Sequence, residues 1–579
     1  MKFTAGKDDF KKIRQKNIFY VDKTKMIASL LDSEDEVVLI TRPRRFGKSL
    51  MLSTLREFFD ITNGKDTAKT LFKDLSIMKR DDLIEEYMAE YPVLHFSFKD
   101  VGGLTYSQLI DSMLRSMQRW CKLNKRHFDF SKCNEIDVKL YNRIEKGIAN
   151  PEYKDPVTGM DQKTSDIQDF LNTVIAMLSD IYEKNVILLL DEYDVPLAKA
   201  SVLKGTVTMN DTVVSPYEAM KSFIAQMFGT AIKGNPLLER AVITGCMRIA
   251  QASIFTGANN FNSYGVMDSM YGDCIGFTDQ EVAYMLEEAG IPEKMESFKD
   301  WYDGYAFGNS EIYCPWDVLK QIRLFHEDPE AEMKPHWLGT SENEILRQML
   351  RNPKMNIEAQ LAQLLDGGSL NVKVCDNVTY ATLEDNVENL WNVLLQTGYL
   401  TRRSTQEKGS EMNLAIPNKE VELFIQDEMI NWMIQRADSS QSYQIMDALV
   451  HHRGEEAARL LSQHLFESMS FFEYHEDFYH GFIGAYLKRD MYELEVDREY
   501  GLGKPDIVLF DNNKSLAVII EVKHAKEEKK LSAKLKEAVN QCIREKYIEG
   551  VKTRFENVVC YGLATYKKQC SIQEVTLGA

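Results

Sequence analysis

Two groups of residues combine types and spacings suited to chemistry on phosphate esters. The first begins with Arg42-Pro-Arg-Arg-Phe-Gly-Lys-Ser49 and continues downstream with Asp191-Glu192. In a loop of this kind, backbone N–H groups at a helix N-terminus face the phosphates. Arg45, Phe46 and Gly47 would supply that cradle, Lys48 would reach the terminal phosphates, and the Ser49 hydroxyl would hold magnesium. Asp191 closes an apolar run, where an aspartate supports the same magnesium; Glu192 is placed to polarise an attacking water. Thr244, at the end of a later apolar run, is placed like a sensor between the two motifs, and Arg248 to neutralise phosphate charge. The second group is Pro505-Asp506, fourteen intervening residues, then Glu521-Val522-Lys523. Two carboxylates bind a hard divalent cation, and a lysine beside them orients a water or offsets charge building on a phosphate, which is hydrolytic phosphodiester chemistry.

Each group has a plainer reading. A basic turn can open a helix without a ligand, and the usual phosphate loop opens with glycine where this chain has Arg42. Arg44 and Arg45 read first as solvated or ion-paired side chains. Thr244 and Arg248 read equally as ordinary polar loop residues. An Asp, Glu and Lys on an exposed strand face form a cross-strand ion pair just as readily.

The elements around these residues favour the chemical readings. EVVLIT (36–41) reads as a strand and SLMLSTLREFFD as the helix after the loop. With runs at 93–98, 186–190 and 241–244 separated by helical patterns, the first part predicts a parallel α/β sheet. From 278 to 350 the pattern is helical, with turns at 302–305 and 313–316, and reads as a helical lid. Residues 351–440 hold a helix over 386–397, a strand pair around the polar turn 407–411 and a helix from Asn418, a winged-helix-like order. From 441 to 579 the order is helix, strand hairpin, helix, strand and a short tail. In the hairpin, DIVLF (506–510) and LAVIIEVK (516–523) around DNNK pair 510 with 517 and 506 with 521, which stands Asp506 beside Glu521. Lys523 shares the face of Glu521, and Val518, Ile520 and Val522 point oppositely into the core.

Composition sets the frame. The chain has 579 residues, 44% hydrophobic and 27% charged, enough for several folded units. The opening residues lack a secretory apolar region and no run reaches a membrane span, so neither export nor membrane insertion is expected. Nine scattered cysteines without CxxC spacing fit a reducing cytoplasm. The net charge of -18 argues against non-specific coating of nucleic acid, so any contact with DNA or RNA needs a local basic patch such as Lys523, Lys526, Lys529, Lys530, Lys534 and Lys536, only partly offset by Glu527 and Glu528. A solvated, ion-paired helix explains that run equally.

The stretches FYVDKT (19–24), RPRRFGKS (42–49), LDEYD (190–194), TGCMRIA (244–250) and WYDGY (301–305), in this order, resemble the AAA-ATPase-like family, found in bacteria. The resemblance covers roughly residues 5–345 and makes the Arg42 opening ordinary. Around the second group, EDFYH (476–480), Glu499, GLGKPD (501–506) and the segment Gln541 to Tyr547 resemble the PD-(D/E)XK nuclease domain that often follows such modules. The resemblance implies Glu476 and Glu499 as additional metal ligands, and Gln541 and Tyr547 as contacts of the site or of a backbone phosphate. Lys504 stands where the family often has arginine, a change of hydrogen-bond geometry but not of charge.

The expectation is a P-loop NTPase core (1–277), helical lid (278–350), winged-helix-like middle module (351–440) and restriction-endonuclease-like α/β domain (441–579). It would bind and hydrolyse ATP with Mg2+ and act on nucleic acid, in defence or in processing mobile elements. The alternative is an ATP-regulated signalling or scaffold protein whose C-terminal fold binds nucleic acid or protein without cutting. Whether the chain forms a homo-oligomer is open at this stage.

Overall fold

The computed structural model describes residues 2–150, 152, 161–209, 212–248, 261–337, 357–375, 378, 386–404, 411–436, 439–468, 476–488, 492–495 and 498–576. Ile249, Ala250, the turn at 407–410 and the end of the lid at 338–350 lie outside them. Two compact units form, Met1–Leu338 with Asn371–Glu420, and Gly339–Leu370 with Val421–Ala579.

The first unit is built on five parallel strands: β1 (Val37–Thr41), β2 (Val93–Ser97), β3 (Val186–Asp191), β4 (Leu238–Gly245) and β5 (Phe261–Tyr264). Their order is β2-β3-β4-β1-β5. β1 and β3 are buried at every position, as continuous apolar runs in a sheet covered on both faces must be. β5 escapes the sequence pattern because Phe-Asn-Ser-Tyr is mostly polar and only partly buried. The order separates β1 from β3 by one strand, β4, in register with both: Thr41 opposes Gly245, and Leu190 opposes Ile243. Residues at the C-terminal ends of three strands therefore stand side by side.

The lid region holds helices Asp279–Ala289, Met295–Tyr302 and Pro315–Glu327. The first starts with a capping box in which Thr278 and Glu281 satisfy each other's backbone N–H groups. Phe298, Tyr302 and Ile322 form its core, which also takes in Phe3. Between the second and third helices lies a hairpin, Tyr305–Phe307 with Ser310–Ile312, where the sequence shows only turns.

Further along come helix Glu358–Leu365, strand Leu370–Lys373, helix Val387–Thr397, strands Thr401–Arg402 and Glu411–Ala415, and helix Lys419–Arg436. The three strands make one small sheet. The division between the two units runs through this stretch, at 370/371 and 420/421.

In the second unit, helices Ser439–Val450, Gly454–Ser468 and α2 (Glu476–Leu487) precede a mixed sheet of order β6-β7-β8-β9-β10. Its strands are β6 (Glu493–Glu495), β7 (Ile507–Asp511), β8 (Leu516–His524), β9 (Asn557–Tyr566) and β10 (Gln569–Glu574), with α3 (Leu531–Arg544) and α4 (Tyr547–Val551) before β9. The β7-β8 hairpin pairs Phe510 with Ala517, the expected register. Asp511 fixes the turn by accepting from the Asn513 and Lys514 N–H groups. β8 shows a burial that its sequence does not announce, and one expectation, the tail, needs correction. β8 is buried on both faces, because Ala517 and Ile519 pack with Val508, Phe510 and Tyr547 in a core opposite Val518 and Ile520. The C-terminal segment is no tail: β10 pairs antiparallel with β9.

Candidate functional site

β1 delivers the chain into the loop 42–47, which ends on helix α1 (Lys48–Phe59). Gly47 is its N-cap at φ 100°, with no side chain capping it, which leaves the first N–H groups of α1 available to an anion. Arg45 also has positive φ, 69°. Lys48 is buried and its ammonium donates to the carbonyls of Arg42 (2.9 Å) and Pro43 (3.0 Å) and lies 3.5 Å from Cys246 Sγ. The Ser49 hydroxyl donates to Asp191 Oδ2 at 2.6 Å, and Thr244 donates to Asp191 Oδ1 at 2.7 Å. The start of α1 and the end of β4 thus converge on the buried carboxylate that ends β3. Its hydroxyl and carboxylate oxygens are the hard donors magnesium takes. Glu192 follows at φ 53°; burial, then the adjacent Asp191 charge, raises its carboxyl above the ordinary range, the direction that suits a proton acceptor near neutral pH.

Arg42 does not face this loop's anion side. It is fully buried, and its guanidinium donates to the carbonyls of Thr41 (2.8 Å), Tyr264 (3.0 Å) and Tyr271 (2.9 Å). It ties the end of β1 to the end of β5 and the segment after it, and sits 5.2 Å from the Phe307 ring centroid. Burial pushes its pKa down to about 10. The residue that departs from the generic loop is thereby a brace.

Arg45 is exposed and lies over the Trp316 ring at 4.4 Å. Phe46 is buried against Tyr305 and Phe307, with centroids 4.9 and 5.1 Å apart, so its side chain anchors the loop and only its backbone is free for a phosphate. Arg248 is ion-paired with Asp268 at 2.6 Å and donates to the Ser263 carbonyl. In this arrangement its charge is held by β5 and the following turn.

The second site forms where β7, β8 and α2 meet. Glu521 is fully buried and Lys523 is 9% exposed. The Lys523 ammonium lies 2.9 Å from Glu521 Oε1, 3.3 Å from Glu476 Oε1, 3.9 Å from Asp506 Oδ2 and 3.1 Å from the Val522 carbonyl. Asp506 Oδ2 accepts the Val522 N–H at 2.8 Å and Glu476 Oε2 accepts that of His524 at 2.8 Å, so the backbone of β8 fixes both carboxylates. Burial first, then the Asp506 charge, pushes Glu521 up to about 7, and burial also raises Asp506. Burial alone would lower Lys523; the Glu521 and Asp506 charges override it and hold the ammonium above its usual range. Among the described residues no three His, Cys, Asp or Glu side chains stand ready around a common point for a metal. The donor set nonetheless fits a hard cation. The oxygens come from carboxylates and a carbonyl, and the buried Glu521 Oε2 has no hydrogen-bond partner.

His480, one helical turn after Glu476, was given no role from sequence. Its Nδ1 is 3.5 Å from Asp506 Oδ1 and its Nε2 3.3 Å from the Val522 carbonyl; the i,i+4 spacing to Glu476 is the signal that could have found it. Glu499 is exposed and is not brought into the cluster: Tyr500 turns into the core, which sends its neighbour outward. The Tyr547 hydroxyl donates to the Lys504 carbonyl at 3.0 Å and receives from Gln541 at 3.4 Å, so this pair holds the GLGKPD loop in place. Of the basic run, Lys529 and Lys530 pair with Glu527 (2.8 and 3.2 Å) and Lys534 with Glu537 (2.8 Å), while Lys526 and Lys536 are exposed.

Comparison with known proteins gives two family matches. Residues 4–255 match the family described as "Predicted AAA-ATPase" and residues 474–575 match the PD-(D/E)XK nuclease superfamily. A relative, the "Uncharacterized protein in vnfD 5'region" of Azotobacter chroococcum mcd 1, is 24% identical over 436 residues, 74% of this chain and 70% of that protein.

Proposed function

We propose that this chain, an AAA-ATPase-like module followed by a PD-(D/E)XK nuclease superfamily domain, hydrolyses ATP in the first and cleaves phosphodiester bonds of DNA or RNA in the second. The observation that carries the nuclease reading is the convergence of the part-buried Asp506 and Glu476 on the buried Glu521 and Lys523. A surface ion pair needs no such burial, and burying Glu521 and Lys523 beside two further carboxylates is costly unless the groups do something together.

In the first site, the open N–H groups of α1 bind phosphate, and Lys48 leaves the loop carbonyls to reach it. Ser49 and Asp191 are the residues that would hold magnesium, which neutralises phosphate charge when bound. Glu192 takes a proton from the attacking water. In the second site, Asp506 and Glu521, with Glu476 beside them, would hold a divalent cation that activates water and offsets charge on the phosphate. Lys523, displaced from the carboxylates, meets the developing negative charge. Nucleotide state would govern access to nucleic acid, in a role in defence or mobile-element processing in the bacterial cytoplasm.

The packing of the Lys523 ammonium among the carboxylates also supports a second reading, a domain that binds nucleic acid or protein without cutting. Two assays on one preparation separate them. ATP turnover lost in Lys48→Ala and metal-dependent plasmid cleavage lost in Glu521→Gln support the first reading. ATP turnover without cleavage at any Mg2+ or Mn2+ concentration supports the second.

A further inference from the structure

Tyr193 and Asp194, directly after the acidic pair, have no part in the reading above. Asp194 is 2% exposed and Tyr193 fully buried. Asp194 Oδ2 accepts the N–H groups of Cys246 and Met247, each at 3.0 Å. The Tyr193 N–H donates to the Thr244 carbonyl at 3.1 Å, and its hydroxyl donates to the Met247 carbonyl at 2.8 Å. Four bonds thus fasten the turn leaving β4 to the turn leaving β3. The fit leaves no room for a side chain between them: a Cβ on Gly245 would stand 2.6 Å from Tyr193 Cε1 and 2.7 Å from Asp194 Oδ1.

A buried carboxylate costs free energy unless its hydrogen bonds are made, and these two bonds fix a turn. That turn follows Thr244, the next-to-last residue of β4, whose hydroxyl holds one oxygen of Asp191 while Ser49 holds the other. We infer that Asp194 is a positioning residue for nucleotide turnover: by fixing the 244–247 turn it keeps Thr244 against Asp191, and so keeps the Asp191 carboxylate in one orientation beside Ser49. The inference rests on the ATPase reading of this unit.

The test uses the full chain and its Asp194→Ala, Asp194→Asn and Gly245→Ala variants, with Lys48→Ala as the control for the ATPase reading. Two quantities are read: kcat and KM for ATP, and the Mg2+ concentration that half-saturates binding of a fluorescent ATP analogue. Asp194→Ala is expected to lower kcat about 10²-fold, as a misplacement near 1 Å does, with KM changed by less than about threefold. It should also raise the Mg2+ half-saturation about tenfold, the usual cost of losing a group that orients a metal ligand. The asparagine oxygen accepts the same two N–H groups, so Asp194→Asn stays near wild type. Gly245→Ala, which pushes the turn away with the carboxylate intact, reproduces the alanine phenotype even where Asp194→Ala does not fold.

Equal loss in Asp194→Ala and Asp194→Asn, or wild-type kcat and Mg2+ dependence in both Asp194→Ala and Gly245→Ala, overturns the inference. Where the wild type binds the analogue without turnover, the Mg2+ dependence alone decides. A wild type that does not bind the analogue removes the ATPase reading itself and this inference with it.

Discussion

At the scale of single residues, the two sites differ in how their carboxylates are used. Glu192 sits at positive φ beside the Asp191 charge. Glu192→Gln removes the proton acceptor and leaves the phosphate loop intact, so kcat should fall by about 10²-fold or more with ATP affinity retained; single-turnover hydrolysis beside analogue binding measures both. Arg42 invites the opposite change. Restoring the generic glycine leaves the carbonyls of Thr41, Tyr264 and Tyr271 without their donor and opens a cavity, at a cost of about 3–5 kcal/mol in denaturant unfolding of the first unit. A buried acid pair bears on pH. Asp317 and Glu420 are both 2% exposed, and burial pushes both carboxyls up, Glu420 to about 9 with the Asp317 charge adding to burial. Folded-state values above the unfolded ones mean the folded chain binds the extra proton. Stability from this pair is full below an ordinary carboxylate pKa of about 4 and is lost as pH rises toward 9. Glu420→Gln keeps an acceptor for the Trp337 N–H and gains a permanent donor, so its melting temperature should fall less than wild type between pH 5 and 9. Residue identities at the phosphate loop were legible because a loop motif is local. The brace made by Arg42 was not, since its partners are 222 and 229 residues away and are carbonyls, which any residue supplies.

At the scale of elements, strand alternation and a short polar turn were enough to set the register of the β7-β8 hairpin, because slipping by one residue would turn Glu521 and Lys523 to the opposite face. The two-sided burial of β8 was hidden, since an apolar run does not reveal how many layers cover it. Glu499 misled for a related reason: its place in a motif says nothing of which way a turn sends it. That turn gives a prediction of its own. Gly501, at φ 67°, lets the loop before Asp506 press on the end of α3, where a Cβ would meet Glu545 O at 2.3 Å and Lys546 O at 2.4 Å. Gly501→Ala adds about 1–3 kcal/mol of backbone strain to that clash. It should reduce nuclease activity while leaving ATP turnover at the wild-type rate; equal activity in both assays would mean the clamp does not position Asp506.

At the scale of the whole molecule, the sequence pointed to two chemistries on one chain, and both core folds were readable because each group proposed as catalytic sits at a strand end or on a paired strand. The middle stretch was less legible: short strands and amphipathic helices can join either neighbour, and here the two compact units share it. No described helix is long and apolar enough to cross a membrane, and the basic run is half neutralised by its own glutamates, so the exposed Lys526 and Lys536 are the candidates for backbone phosphate contact. If nucleotide state governs cleavage, Lys48→Ala should alter the nuclease rate although it lies in the other unit. The central claim is that the C-terminal cluster cuts nucleic acid. Purified full-length protein and Asp506→Ala, incubated with plasmid, single-stranded DNA and RNA in Mg2+ or Mn2+ with and without ATP, test it most directly. Cleavage by the wild type and none by Asp506→Ala is the predicted result. Intact substrates under every condition, or equal cleavage by the two proteins, would contradict it.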